Sequence, residues 1–319
     1  MDAETIDNPT GPRCGAVALV GQPNVGKSTL LNHILGTKLA ITTHRPQTTR
    51  NRILGVKTYG QRGQVAFLDT PGIHESKKRL NQAIVRVAID TLDEVDLVVH
   101  LVDAAQCVAE HKRSPDEPIG ERERHVLESI KGSEVGRILV VNKIDRVDDK
   151  NLLLPVIEAL TSSQAYLAVV PISAKNGDNV DVLGDVLMEH LPVSEHGMMF
   201  PEDMLTDQAE RFIAAEFVRE QIMLQTKKEI PYSIAVEIDK FSEIPRKDML
   251  DISAVIHVER KSQKHILIGS QGSRIKQIGQ GARESMERFF GRKVFLKTLV
   301  RVQDNWSDDP RSLKRFGYE

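Results

Sequence analysis

Residues 16–35 read AVALVGQPNVGKSTLLNHIL. The aliphatic run Ala16–Gly21 ends on a glycine. Gly21, Gln22, Pro23, Asn24, Val25, Gly26, Lys27 and Ser28 then spell G-x-x-x-x-G-K-S, and Lys27–Leu35 carries apolar side chains at helical spacing. Strand, glycine-rich loop and helix in that order are the context in which this motif cradles phosphates. The glycines let the chain curl so that main-chain N–H groups and a helix N-terminus surround a β-phosphate. Lys27 would neutralise β/γ-phosphate charge. Ser28, followed by Thr29, would offer a hydroxyl to Mg²⁺. A ligand-free glycine turn is the competing reading, and the preceding strand argues against it.

Outward from this stretch the alternation continues. Gln64–Thr70, Leu97–Ala104, Arg137–Asn142 and Tyr166–Ser173 are aliphatic or β-branched runs closed by turn residues, and Asn51–Thr58 is a candidate further strand. Lys78–Leu92, Glu121–Lys131, Leu152–Ser162 and Val180–His190 carry helical spacing between them. This order predicts an α/β fold with a mostly parallel sheet and helices on both faces. Such sheets bind ligands at the carboxyl ends of their strands, and three further motifs fall there.

Asp69-Thr70-Pro71-Gly72 follows one strand. Its carboxylate would hold Mg²⁺ through water, and the Gly72 N–H would meet a γ-phosphate. Asn142-Lys143-Ile144-Asp145 follows another. Asp145 can accept from both N1–H and N2–H of guanine, a pair that adenine lacks. Lys143 would lay its stem over the base, and Asn142 would tie this loop to the phosphate loop. Ser173-Ala174-Lys175 closes the set, with the Ala174 N–H expected on guanine O6. Between the first helix and the second strand, Thr48 and Thr49 compete to complete the Mg²⁺ shell, and Thr49, followed by Arg50, is favoured over Thr48; a solvated loop with spare hydroxyls is the competing reading. Ile73, after Gly72, has no group that could orient water, so slow intrinsic hydrolysis of GTP to GDP is expected.

Leu191–Asp207 contains Pro192, Gly197 and Pro201 and reads as a linker. Beyond it the elements are expected in the order α-β-β-α-α-β: a helix about 208–225, strands Tyr232–Lys240 and Asp251–Arg260, helices Gln263–Ile268 and Ser273–Phe290, and a strand Lys293–Val302. That order fits a smaller α+β domain of the type II KH class. Gly269-Ser270-Gln271-Gly272 joins its two later helices, where glycines admit a nucleic-acid backbone closely. Ile268 and Ile275 would floor the splayed bases, while Lys264, Arg274 and Lys276 would supply charge. Residues 260–301 hold eleven Lys/Arg against two acids, a local charge of +9 in a chain whose net charge is −2. An anionic partner is implied. Trp306 and Phe316 either stack on bases or pack the tail down.

The chain has 319 residues, enough for two domains. No apolar run is long enough to span a bilayer, and Met1–Pro12 lacks the apolar stretch of a signal peptide. Cys14 and Cys107 have no metal-ligand spacing and read as reduced thiols of a cytoplasmic protein. The expected organisation is an extension at 1–13, a nucleotide-binding domain at 14–191, a linker at 192–207, a KH domain at 208–303 and a tail at 304–319.

These motifs together resemble the Era family of the translation-factor-related GTPases. In the first half the resemblance rests on G-Q-P-N-V-G-K-S-T-L-L-N, P-Q-T-T-R, D-T-P-G, N-K-I-D and S-A-K. In the second it rests on Leu191-Pro192, Phe200-Pro201-Glu202-Asp203, Pro231-Tyr232-Ser233 and Ile268–Gly272 followed by Ile275 and Ile278. The resemblance implies a GTPase that binds the 3′ end of 16S ribosomal RNA and assists maturation of the 30S subunit. It is expected to be a monomer in the cytoplasm, with peripheral contact to the inner membrane. It also implies K⁺ beside the phosphates, held by Asn24, so that Asn24, Lys27, Thr49 and Gly72 form the candidate catalytic set; Asn24 capping a turn is the alternative. Two other functions fit the same residues: a nucleotide-gated RNA-binding module or chaperone whose hydrolysis is incidental, and a tRNA-modification GTPase. One departure from the family is a longer segment at 106–119, polar and carrying Pro115 and Pro118, expected to be a surface loop.

Overall fold

A computed structural model of the chain describes residues 11–74, 79–115, 119–244 and 247–318. Residues 1–10 of the expected extension lie outside these. Arg13, assigned to that extension from the sequence, opens the first strand instead.

Nine strands and ten helices are described: β1 Arg13–Val20, α1 Lys27–Leu35, β2 Ile53–Thr58, β3 Gly63–Asp69, α2 Arg79–Asp90, β4 Leu97–Asp103, α3 Ala104–Arg113, α4 Glu121–Lys131, β5 Gly136–Asn142, α5 Leu153–Ser163, β6 Ala168–Pro171, α6 Val180–His190, α7 Glu210–Gln225, β7 Ile234–Ile244, β8 Met249–Val258, α8 Lys261–Ile268, α9 Ser273–Phe290, β9 Lys293–Val302 and α10 Pro310–Arg315. The first sheet runs β2-β3-β1-β4-β5-β6. All its pairings are parallel except β2 with β3. β3 and β4 are almost wholly buried, as strands covered on both faces must be. On one face lie α1 and α6, through Leu30, Leu31, Ile34, Leu183 and Leu187. On the other lie α3, α4 and α5, through Cys107, Val126, Ile130, Val156 and Leu160. The strand order reverses at β1, with β3 on one side and β4 on the other. That reversal opens a crevice at the carboxyl end of β1, where Gly21 begins the phosphate loop.

Segment 106–119 departs from its expected loop. Its first part belongs to α3, capped by the Asp103 carboxylate, which accepts the N–H groups of Ala105 (3.1 Å) and Gln106 (3.2 Å). Cys107 and Val108 are buried against the α4–α5 layer. The prolines that suggested a loop come after the helix, and residues 116–118 lie outside the described part.

The segment read as a linker follows the edge of the first sheet. The Val56 N–H donates to the Leu205 carbonyl at 2.8 Å, and Gln64 exchanges two hydrogen bonds of 2.9 Å with the Phe200 main chain. The second sheet runs β7-β8-β9, with β7–β8 antiparallel and β8–β9 parallel, and α7, α8 and α9 pack on it in the order α-β-β-α-α-β. The segment after β9 packs down. Trp306 is 0% exposed, and its indole donates to the Ser233 carbonyl at 3.2 Å. Trp306, Leu313 and Tyr318 form a cluster with Ala235 of β7 and with Leu80 and Ile84 of α2, so this cluster joins the two halves of the chain.

Candidate functional site: a phosphate and base crevice with an RNA-facing half

Gly26 caps α1 in the left-handed region (φ 110°) without a side-chain cap, which leaves the first N–H groups of the helix facing the crevice. Its missing Cβ also matters. A Cβ there would sit 2.3 Å from Asn142 Nδ2, the group that donates to the Val25 carbonyl at 2.7 Å and ties the two loops together. Gly72 is required for a similar reason, since a Cβ there would meet Pro23 Cα at 2.6 Å.

Lys27 Nζ curls over the loop and donates to the Gly21 and Gln22 carbonyls at 3.1 and 2.9 Å. Burial lowers its pKa to about 8, against the raising pull of Asp69 and Glu123. Asp69 is 0% exposed. Its Oδ2 accepts from Ser28 Oγ (2.6 Å) and Thr49 Oγ1 (3.3 Å), and those two hydroxyls lie 2.9 Å apart. Its Oδ1 has no partner. Burial raises its pKa to about 6, although the Ser28 hydrogen bond and Lys27 act to lower it. A buried carboxylate oxygen with an unmet acceptor, beside two converging hydroxyls, is a donor set suited to Mg²⁺. Thr48 faces elsewhere, its Oγ1 bonding Thr43 Oγ1 at 2.7 Å and the Arg45 carbonyl at 2.8 Å.

Asn24 has φ 66°, and its carboxamide donates to the His44 carbonyl at 3.1 Å, bridging the phosphate loop to segment 42–50. Ile73 is 1% exposed and packs in the core, its N–H donating to the Gly21 carbonyl at 3.2 Å. Its side chain therefore offers nothing to a water.

The base motifs converge one loop away. The crevice at the phosphate loop and the one lined by Asn142, Lys143, Asp145, Ala174 and Lys175 share Gly26 and Thr29. Ser173 Oγ donates to Asp145 Oδ1 at 2.7 Å, which leaves the second carboxylate oxygen for a ligand. Lys143 (φ 65°) reaches the Asn24 carbonyl and Asp103 Oδ2, each at 2.6 Å. The Ala174 N–H, expected on guanine O6, donates to Asn142 Oδ1 at 2.9 Å. Asn142 takes this donor because its own side chain spans the gap between the two loops.

Sequence reading missed the support beneath the phosphate loop. Glu123 of α4, 2% exposed, accepts from Gln22 Nε2 at 2.7 Å and lies 2.7 Å from His100 Nε2. His100 in turn lies 2.7 Å from the Tyr166 hydroxyl. A histidine in the middle of an apolar strand was the available signal.

In the second half Gly269 (φ 74°), Gln271 (φ 50°) and Gly272 (φ 77°) turn the chain sharply between α8 and α9. Gln271 in the left-handed region is strained for a residue with a side chain. Ser270, Gln271 and Lys276 are exposed, while Lys264, Ile268, Arg274 and Ile275 are half-buried. Arg274 donates to the Ile266 carbonyl at 2.6 Å, so its guanidinium is partly committed. Ile266, 42% exposed, is a further apolar side chain on α8, the helix that leads into this loop.

Comparison with known proteins matches residues 16–143 to the 50S ribosome-binding GTPase family and residues 229–307 to the KH domain family. GTPase Era of Pseudomonas aeruginosa is 49% identical over 98% of the chain and 97% of that protein. GTPase Era of Syntrophus aciditrophicus is 46% identical over 96% and 95%. Two solved structures each align at 39% identity over 96% of this chain and 99% of theirs. One is an Aquifex aeolicus Era variant bound to GDP·AlF4⁻ (TM-score 0.87). The other is Era with MgGDPNP and nucleotides 1506–1542 of 16S ribosomal RNA (TM-score 0.88).

Proposed function

The chain belongs to the Era family of GTPases, and from that premise we propose that it binds GTP with Mg²⁺, hydrolyses it slowly to GDP, and binds the 3′ end of 16S ribosomal RNA through its KH half to assist 30S assembly. One observation carries the nucleotide reading: the buried, unpaired Oδ1 of Asp69, beside Ser28 and Thr49 and below Lys27. Bound Mg²⁺ would add positive charge at the β/γ-phosphate oxygens. Ser28, Thr49 and Asp69 would hold it. Lys27 would exchange its two carbonyl acceptors for phosphate oxygens, and the Gly72 N–H would face the γ-phosphate. Asp145 would read guanine N1–H and N2–H. The Ala174 N–H would exchange Asn142 Oδ1 for O6, beside Lys175. Asn24 would hold K⁺ next to the phosphates.

The RNA surface assigned to this half is the Gly269–Gly272 turn with Lys264, Ile268, Arg274, Ile275 and Lys276. Relatedness to Era over 98% of the chain leaves the tRNA-modification alternative without support. The burial of Ile73 keeps a second reading in play, in which nucleotide binding gates RNA binding and hydrolysis is incidental. The work would take place in the cytoplasm; no described helix is long and apolar enough to cross a membrane, and any membrane contact would be peripheral.

The base reading has a direct test. Asp145→Asn exchanges an acceptor for a donor, so preference should move from GTP towards xanthosine triphosphate by about 100-fold or more. An unchanged GTP preference in a competition assay removes Asp145 from the base site.

A further inference from the structure

Segment 38–50 is attached to the second half of the molecule at every few residues. Glu220 of α7, 1% exposed, accepts from the Thr42 N–H at 3.0 Å and from Lys38 Nζ at 2.6 Å. Arg45 donates from Nε to the Met223 carbonyl at 2.7 Å and from Nη2 to the Thr226 carbonyl, at the C-terminal end of α7 where carbonyls attract a cation. The Arg50 guanidinium, in a residue 3% exposed, takes the carbonyls of Ile234 (2.7 Å) and Pro231 (3.1 Å) and the Tyr318 hydroxyl (3.2 Å). Between these anchors Arg219 Nη2 of α7 donates to the carbonyl of Thr48.

The Thr48 carbonyl belongs to the peptide unit that enters Thr49. Fixing that oxygen on one side and the Arg50 side chain on the other leaves the Thr49 main chain little freedom to turn its hydroxyl away from Asp69. Arg219 is itself rigid. It is 1% exposed, and Glu216 holds its Nε at 2.7 Å and its Nη2 at 2.5 Å. We propose that Arg219 is a positioning residue of the nucleotide site, contributed by the RNA-binding half: it sets the peptide that carries Thr49, and through it the nucleotide state and the seating of the second half are coupled. Loss of the γ-phosphate, with release of Thr49, withdraws the acceptor that α7 holds. By linkage, whatever seats α7 firmly favours the triphosphate to the same degree.

This inference rests on Thr49 facing Mg²⁺, so the experiment includes Thr49→Ala beside Arg219→Met in the full chain. Because Arg219→Met leaves Glu216 unpaired, the charge-neutral pair Glu216→Gln/Arg219→Met is made as well. Affinities for GDP and for Mg²⁺ with a non-hydrolysable GTP analogue are measured, and hydrogen exchange of residues 42–50 is followed in nucleotide-free protein. Loss of a charge-assisted hydrogen bond at this peptide should weaken analogue binding about tenfold while GDP affinity moves by less than about twofold. Exchange in 42–50 should quicken, and Arg219→Lys should recover part of both. If Thr49→Ala lowers analogue affinity but both Arg219→Met proteins, folded, match wild type in analogue affinity and exchange, Arg219 has no positioning role. If Thr49→Ala itself leaves the analogue-to-GDP ratio unchanged, the reading of Thr49 fails and the coupling built on it fails too.

Discussion

Asp69 and Lys27 are buried opposite charges that a nucleotide and its metal would complete. Burial raises the Asp69 carboxyl from its ordinary 3.8 to about 6. Between those values the folded protein keeps a proton that the unfolded chain has lost, so this group's contribution to stability is present at low pH and is lost as pH rises through about 6. Mg²⁺ needs the carboxylate and must displace that proton. Apparent Mg²⁺ affinity, titrated calorimetrically with GDP bound, should therefore fall up to about tenfold per pH unit below about pH 6, and a flat profile between pH 5 and 7 would remove Asp69 from the metal site. Asn24 gives a second residue-level expectation. If Asn24 holds K⁺ beside the phosphates as proposed, GTPase rates should be several-fold higher in K⁺ than in Na⁺, and Asn24→Ala should abolish the difference; equal rates in wild type dismiss the K⁺ role. Gly21 to Ser28 was legible in sequence because its glycines and lysine answer to local geometry. The engagement of the Ala174 N–H was not, since it depends on Asn142, 32 residues away.

Elements were legible where a period or cap announces them, and harder where tertiary contacts decide. The helix Lys27–Leu35 has the bounds its spacing predicts. α3 was hidden because it is short and has only Cys107 and Val108 as larger apolar residues among alanines and polar side chains, with prolines close behind. Its cap Asp103 and the layer it buries against determine it, and the layer comes from residues 126–160. The tail shows the same limit: Trp306 stacking on RNA and Trp306 packing inside are equivalent in sequence. Its complete burial, with ring centroids 5.3 Å from Phe316 and 6.1 Å from Tyr318, assigns it to packing. Trp306→Ala should cost about 3–5 kcal/mol in denaturant unfolding. RNA affinity measured below the melting transition should stay within about twofold, since no base contact is lost. A large loss of RNA affinity with unchanged stability would reverse that assignment.

Across the whole molecule, the two halves share one continuous core that runs from Val17 and Leu30 through Phe217 to Ile278. Arg45, Arg50 and Arg219 join segment 38–50 to α7 and to the start of β7, and Leu80 and Ile84 of α2 touch the packed tail. The pairing was not readable from sequence: Arg219 and Thr48 are 171 residues apart, and Arg219 lies in no motif. Such an arrangement makes the segments on either side of the nucleotide crevice part of the interface with the RNA-binding half. If a guanine nucleotide switches RNA binding, the affinity of the full chain for a 16S 3′-end oligonucleotide must differ between Mg²⁺ with a non-hydrolysable GTP analogue and GDP. Binding should be about tenfold tighter with the analogue, a coupling of the usual size. Equal affinities in the two nucleotide states would contradict it.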